Sequence, residues 1–240
     1  MEDVDLGTTQ EAGLGTELEV LHSAEDIAQR LEELAQEISA RKLERPLVVA
    51  VLKGSFVFAA DLIRALYRSG LEPEVDFLTL SSYRKSRTSS GVVEILRDLD
   101  LGVEGRNVLL VDDVLASGRT LVFAKDLLAA RGASNILTCV LIDKKVSRAV
   151  DVAADFSAFE GSTEFVVGYG MDVAHRYREL PFVGRVVKEY PEARRRMRCV
   201  MIRERSCAAG SSCRCRSCAP RAGTIGIPRR ARPSWHRILF

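Results

Sequence analysis

The sequence predicts an α/β protein: an open, mostly parallel twisted sheet flanked by helices. Three observations carry this. Two short apolar runs, Leu47–Leu52 and residues 108–111, each end in a loop of small or charged residues. Each loop leads into a segment whose apolar positions fall three and four apart and which stops at a glycine, Gly70 or Gly132. A third run, residues 135–142, is again mostly aliphatic. Short, wholly apolar runs are strands buried on both faces, which is what helices on both sides of a parallel sheet require.

Composition bounds the rest. The 240 residues suit one domain with an appendage, and 47% hydrophobic content is enough for a sizeable core. No apolar run approaches the ~18 residues that span a bilayer. The first residues are acidic and lack a basic-then-apolar pattern, so the expectation is a cytoplasmic protein without membrane contact. Charge divides the chain. Residues 191–240 hold 13 Arg, no Lys and two acids, a net of +11, while residues 1–190 carry 22 basic and 31 acidic residues, a net of −9. Five of six cysteines lie in the basic tail, and the sixth, Cys139, sits in an apolar run as a core thiol. A disulfide framework for the body is excluded.

In chain order, residues 1–18 are polar and turn-rich and read as disordered. Ser23 to Asp26 resembles a capping box opening a helix whose apolar face is Ile27, Leu31, Leu34 and Ile38. Residues 41–45 form a charged connection that Pro46 ends. Strand 47–52 then delivers Lys53-Gly54-Ser55 into a helix that stops at Gly70. Taken alone, Lys53 reads equally as a surface lysine. Residues 74–80 alternate as a strand does, residues 84–91 are too polar to pack, and residues 92–96 read as the return strand.

Residues 107–120, NVLLVDDVLASGRT, are the centre of the chain. The apolar run breaks at Asp112 and Asp113, and the small-residue turn Ala116-Ser117-Gly118 follows, with Arg119 and Thr120 opening the next helix. Strand, small-residue loop and helix make an anion site, because free N–H groups converge there backed by a dipole of about half a positive charge. Two acids just before an anion site make sense if the ligand carries both phosphate and hydroxyls. The loop takes the phosphate, while the acids accept from sugar hydroxyls or hold a hydrated divalent cation. The bland alternative is a strand-turn-helix with a solvated acidic pair. Strand 135–142 ends at Asp143-Lys144-Lys145, and a lysine at the carboxyl end of such a strand can donate to a ligand carbonyl. Alone, the pair reads as exposed strand-end lysines.

VDDVLASGRT resembles the signature of the type I phosphoribosyltransferases, which bind 5-phosphoribosyl 1-diphosphate (PRPP). Leu52-Lys53-Gly54 resembles the diphosphate loop of their hypoxanthine-guanine members, and FVVGYGMD (165–172) with Arg178 resembles the purine pocket and the diphosphate arginine. The four motifs occur in the family's order across roughly residues 21–190.

The resemblance implies a sheet domain, 19–190, with a small hood and a lid loop. It implies transfer of a phosphoribosyl group from PRPP to hypoxanthine, and to guanine, with release of diphosphate in purine salvage. Asp112, Asp113 and Arg178 would be the catalytic residues, and Ala116, Ser117, Gly118, Arg119 and Thr120 the 5′-phosphate cup. Lys53, Gly54 and Arg178 would hold the diphosphate, with a cis peptide bond at Leu52–Lys53 turning an amide toward it. Ser82 and Tyr83 would be lid contacts that exclude water. Lys144 would meet the purine O6, Phe165 would stack on the base and the Val166 backbone would read its edge. Mg2+ would be held by Asp112 and Asp113, with Asp172 reaching a bound water or holding the loop. A homodimer or homotetramer is implied as well. His175, without a partner by spacing, reads as surface.

Two departures stand out. Arg84 replaces a glycine that often follows the lid tyrosine. Ala116 replaces the aspartate placed near N7 as general base, a loss of on the order of 10²–10⁴ in rate if proton removal limits. The alternative reading is therefore a regulatory or nucleotide-binding protein on the same fold, with weak or no catalysis. An RNA-binding regulator would need a basic body, and the net of −9 opposes it. The tail, 191–240, reads as a disordered extension. Its arginines give non-specific nucleic-acid affinity at most, and the spacing of Cys207, Cys213, Cys215 and Cys218 is irregular for a zinc module.

Overall fold

The computed structural model describes residues 9–12, 16–82, 93–161 and 163–189. The chain opens with β1 (Thr9–Ala12) and β2 (Thr16–His22), which pair antiparallel. This corrects the expectation of disorder over 1–18 for residues 9–12 and 16–18; residues 1–8 and 13–15 lie outside the described residues. Few apolar residues mark the segment, and one of them, Leu18, is fully buried. Helix α1 (Ala24–Ser39) follows, with the expected capping box: Ser23 accepts from the Asp26 amide at 3.1 Å, and Asp26 accepts from the Ser23 amide at 3.0 Å. All four residues of its predicted apolar face are buried.

Strand β3 (Leu47–Leu52) has the predicted bounds, and helix α2 (Phe56–Arg68) ends just before Gly70, whose φ of 86° only glycine adopts readily. Then come β4 (Glu74–Ser82), β5 (Val93–Arg97) and β6 (Asn107–Leu115). β6 runs past Val111, where the apolar run of the sequence breaks. Asp112 pairs with Val140 and Leu115 with Asp143, so the two acids lie within the strand, not in the turn. The partner strand continues alongside and supplies the hydrogen bonds, which composition could not reveal. Helix α3 (Arg119–Ala130), β7 (Asn135–Asp143), β8 (Phe156–Glu160), β9 (Val166–Val167) and β10 (Val183–Glu189) complete the order.

Six strands form the main sheet in the order β5-β4-β3-β6-β7-β8, parallel except for β5. Four form a small second sheet, β1-β2-β10-β9, the expected hood. Alternate residues of the central strands feed two cores. Val48, Ala50, Leu109, Val111 and Cys139 pack under α1 and α2, and Val49, Val51, Leu110 and Val140 pack under α3. Burial raises the Cys139 thiol well above its ordinary value, as for an inert core cysteine. No helix among the described residues is long and apolar enough to cross a membrane. Tyr83 and the tail 191–240 lie outside the described residues; Ser82 is the last residue of β4.

Candidate active site

From β3 the chain moves outward to β4, then returns to the other side of β3 as β6. The carboxyl ends of β3 and β6 therefore flank the point where strand order reverses, the crevice in which open α/β sheets bind ligands. Lys53, Gly54 and Ser55 leave β3 here, and the Leu52–Lys53 peptide bond is cis, as the resemblance implied. Ser55 is fully buried and donates to the Val51 carbonyl at 2.5 Å, which ties the loop to its own strand. Gly54 abuts the neighbouring strand: a Cβ on it would lie 1.7 Å from Asp113 Oδ2. Gly170 caps the same loop, since a Cβ there would lie 2.4 Å from the Gly54 carbonyl oxygen. Three segments distant in sequence thus meet at one place.

Asp112 is 7% exposed, and both acids turn one oxygen back on the chain, accepting from the Asp113 and Val114 amides at 2.9 Å each. Desolvation first, and the neighbouring Asp113 charge second, push the Asp112 carboxyl well up from its ordinary value. Burial also raises Asp113, with nearby Arg178 pulling the other way. A divalent cation suits such a pair, because its charge offsets what burial and repulsion oppose. Mg2+ binds through one or two carboxylates, with waters and substrate phosphates as its other ligands. Among the described residues no group of three or more His, Cys, Asp or Glu side chains gathers to hold a metal, so Asp172 does not join Asp112 and Asp113 in one cluster.

After Leu115 the chain turns through Ala116, Ser117 and Gly118 into α3. Gly118 has φ 78° and no room for a side chain: a Cβ would come within 2.5 Å of Val152 and 2.8 Å of Val150. The Ser117 carbonyl is held from outside by the Ala149 amide at 3.2 Å. Of the amides at 116–120, the only one with an acceptor among the described residues is Arg119, 3.5 Å from Ser117 Oγ. The remaining N–H groups are available to an anion at the helix start.

Lys144 stands beside this turn, its amide donating to the Leu115 carbonyl at 3.0 Å. Its ammonium donates to the Glu164 carbonyl at 2.5 Å, and desolvation lowers its pKa against the pull of Asp113. Lys145 points elsewhere, into an exposed ion pair with Glu160 at 2.8 Å. Phe165 is 62% exposed, a free aromatic face, whereas Val166 is buried and pairs with Arg185 of β10.

Arg178 and Asp172 hold each other at 2.6 Å, and Arg178 also donates to the Gly170 carbonyl at 2.5 Å. Five guanidinium N–H groups leave donors for a ligand. Asp172 also accepts from the His175 amide at 2.7 Å, and the His175 ring lies 3.8 Å from it. His175 is exposed, as expected, and its neighbour Asp172 lies three positions back along a tight turn. Sequence reasoning also missed Tyr169, Gly170 and Glu164. The Gly-Tyr-Gly step was the available signal, since closely spaced glycines mark a near approach of backbones.

Comparison with known proteins agrees with this geometry. Residues 17–174 match the phosphoribosyl transferase domain family. The hypoxanthine-guanine phosphoribosyltransferase of Aquifex aeolicus is 46% identical over 171 residues, covering 70% of this chain and 94% of that protein. That of Bacillus subtilis is 43% identical over 166 residues, covering 69% and 91%. A crystal structure of a hypoxanthine-guanine phosphoribosyltransferase from Bacillus anthracis, with HEPES in the active site, superposes with a TM-score of 0.65 at 42% identity, covering 70% of this chain and 98% of that one. The chain belongs to the type I phosphoribosyltransferases, among their hypoxanthine-guanine members.

Proposed function

We infer that the protein is a purine-salvage enzyme that transfers the 5-phosphoribosyl group of PRPP to hypoxanthine and guanine, giving IMP or GMP and diphosphate. The observation that supports this best is the contact of Gly54 with Asp113, three residues before a cup whose amides, Arg119 apart, have no acceptor among the described residues. It joins a diphosphate loop, a sugar-binding acid and a phosphate site at one seam.

As the anomeric carbon–oxygen bond breaks, positive charge grows on the ribose ring and negative charge on the leaving diphosphate. The amides of 116–120 anchor the 5′-phosphate, and Asp112 and Asp113 hold the ribose hydroxyls. Lys53, the loop amide beside it and Arg178 stabilise the leaving group. Mg2+ held near Asp112 and Asp113 would supply further charge to the diphosphate oxygens. Phe165 stacks on the base, Lys144 donates to its O6 and the Val166 backbone reads its edge, which sets the nitrogen in line with the sugar. Ser82 and Tyr83 belong to the lid in this reading. The enzyme works in the cytoplasm as a homodimer or homotetramer.

Initial rates of IMP and GMP formation from PRPP and each base, with Mg2+ and with chelator, test the proposal. Product is expected with both bases only when the cation is present. PRPP binding without product would identify a non-catalytic relative.

A further inference from the structure

We infer that the hydrogen bond between Tyr169 and Asp61 is a positioning latch, which sets Arg178 against the Lys53–Gly54 loop. The inference rests on the reading that these two elements grip the diphosphate. Tyr169 is 5% exposed, and its hydroxyl donates to Asp61 Oδ2 at 2.7 Å. The other Asp61 oxygen takes Arg64 at 2.6 Å, so the carboxylate is oriented before the tyrosine reaches it. Asp61 stands on α2, the helix that grows directly out of the Lys53–Gly54 loop.

The tyrosine backbone carries the other half of the device. Its φ is 49°, a left-handed conformation that a non-glycine residue keeps only when its surroundings over-determine it. Its amide donates to the Leu180 carbonyl at 2.9 Å, and the next amide, Gly170, donates to the Arg178 carbonyl at 3.0 Å. The Gly170 carbonyl in turn accepts from the Arg178 guanidinium. The Arg178 head and backbone are therefore both indexed to Tyr169-Gly170. Gly170 also meets the Gly54 carbonyl with no space between. The hydroxyl bond fixes the turn to α2 on one side of that contact.

Tyr169 is packed into the core on one side and borders open space on the other. Asp61, Tyr169 and Arg178 line a cavity of about 600 Å³ between α1, α2 and the 178–181 segment, so the hydroxyl bond to Asp61 closes the tyrosine's open flank. Rotation of the ring into that space would carry Gly170 off Gly54 and withdraw Arg178 from Asp113.

The test is steady-state kinetics of Tyr169→Phe, which keeps the ring, together with Asp61→Asn, which keeps an acceptor, and Asp61→Ala, which does not. Tyr169→Phe and Asp61→Ala should each raise KM for PRPP about tenfold, the size of a hydrogen bond to a charged group. KM for hypoxanthine and the shape of the pH–rate profile should be unchanged. Asp61→Asn should restore most of the PRPP affinity, and the double variant Tyr169→Phe/Asp61→Ala should be no worse than either single one. Equal losses for both substrates, additive effects, or a wild-type KM for PRPP in Tyr169→Phe would each overturn the latch. Arg178→Ala is run alongside. If it leaves KM for PRPP unchanged, the diphosphate reading itself fails. If it is impaired while Tyr169→Phe is not, only the latch fails.

Discussion

Gly54 and Asp113 touch across the seam between β3 and β6, with a gap that no side chain could enter: a Cβ on Gly54 would fall 1.7 Å from the Asp113 carboxylate. The loop proposed to grip the diphosphate and the acid proposed to hold the sugar are therefore not independent parts.

Gly54→Ala should drive that carboxylate or the loop aside while leaving the two cores intact. A misplacement of about 1 Å in a reacting group costs on the order of 10² in rate. We expect a loss of that order in kcat/KM for PRPP with a circular dichroism spectrum like the parent's. A fully active alanine variant would show that the contact is slack.

Asp112 is expected to weaken the fold at neutral pH. Burial and its neighbour raise its folded-state pKa above the ordinary 3.8, so ionisation opposes folding. Below pH 3.8 the carboxyl is protonated in both states and the penalty is absent. It grows as pH rises through 3.8 and levels off above the folded-state value. Asp112→Asn should therefore melt higher than the parent at pH 7, by roughly 2–4 °C per kcal/mol relieved, with the advantage vanishing near pH 4. Differential scanning calorimetry across pH reads this directly. A variant that melts lower at pH 7 would contradict it.

Ala116 is half-buried, the first residue after β6 and next to the backbone that Lys144 holds. In the proposed reading, a carboxylate there would face the base. Ala116→Asp should raise turnover with hypoxanthine, on the order of 10² if proton removal limits the parent. An unchanged or lower turnover in a normally folded variant would mean that no base is missing.

The strand-end lysines should separate cleanly. Lys144→Met removes the ammonium seated on Glu164 and should raise KM for hypoxanthine by about 10–100-fold, the range for a hydrogen bond to a charged group. Lys145→Met breaks only an exposed ion pair with Glu160 and should change KM less than twofold. The opposite ranking, measured by initial rates, would move the purine contact to Lys145.

What the chain discloses before folding follows from how local each signal is. The β3–loop–α2 unit was legible nearly to the residue, because an apolar run, a glycine stop and a helical period all lie within residues 47–70. The capping box at Ser23 was legible for the same reason. β6 read as too short, since Asp112 and Asp113 owe their strand conformation to β7, which no local pattern reports. β1 and the start of β2 were missed because their ladder partners are each other and β10, more than 160 residues away. At the site, the residue types that bind anions and sugars were visible. The contacts that join them were not: Gly170 on Gly54, Tyr169 on Asp61, and Lys144 on Glu164.

Among the described residues the strand that carries Val166 pairs with β10 alone, and β10 is backed by β2, with His22 opposite Val183 and Thr16 opposite Glu189. The wall proposed to receive the base is thus stiffened by a strand more than 140 residues earlier in the chain. Proteolytic clipping after residue 22 would spare every side chain proposed to contact a ligand yet leave that wall unbraced. Such damage would register as weak purine affinity in an enzyme with its chemistry intact, and fusion tags placed near Thr16 call for a flexible spacer for the same reason.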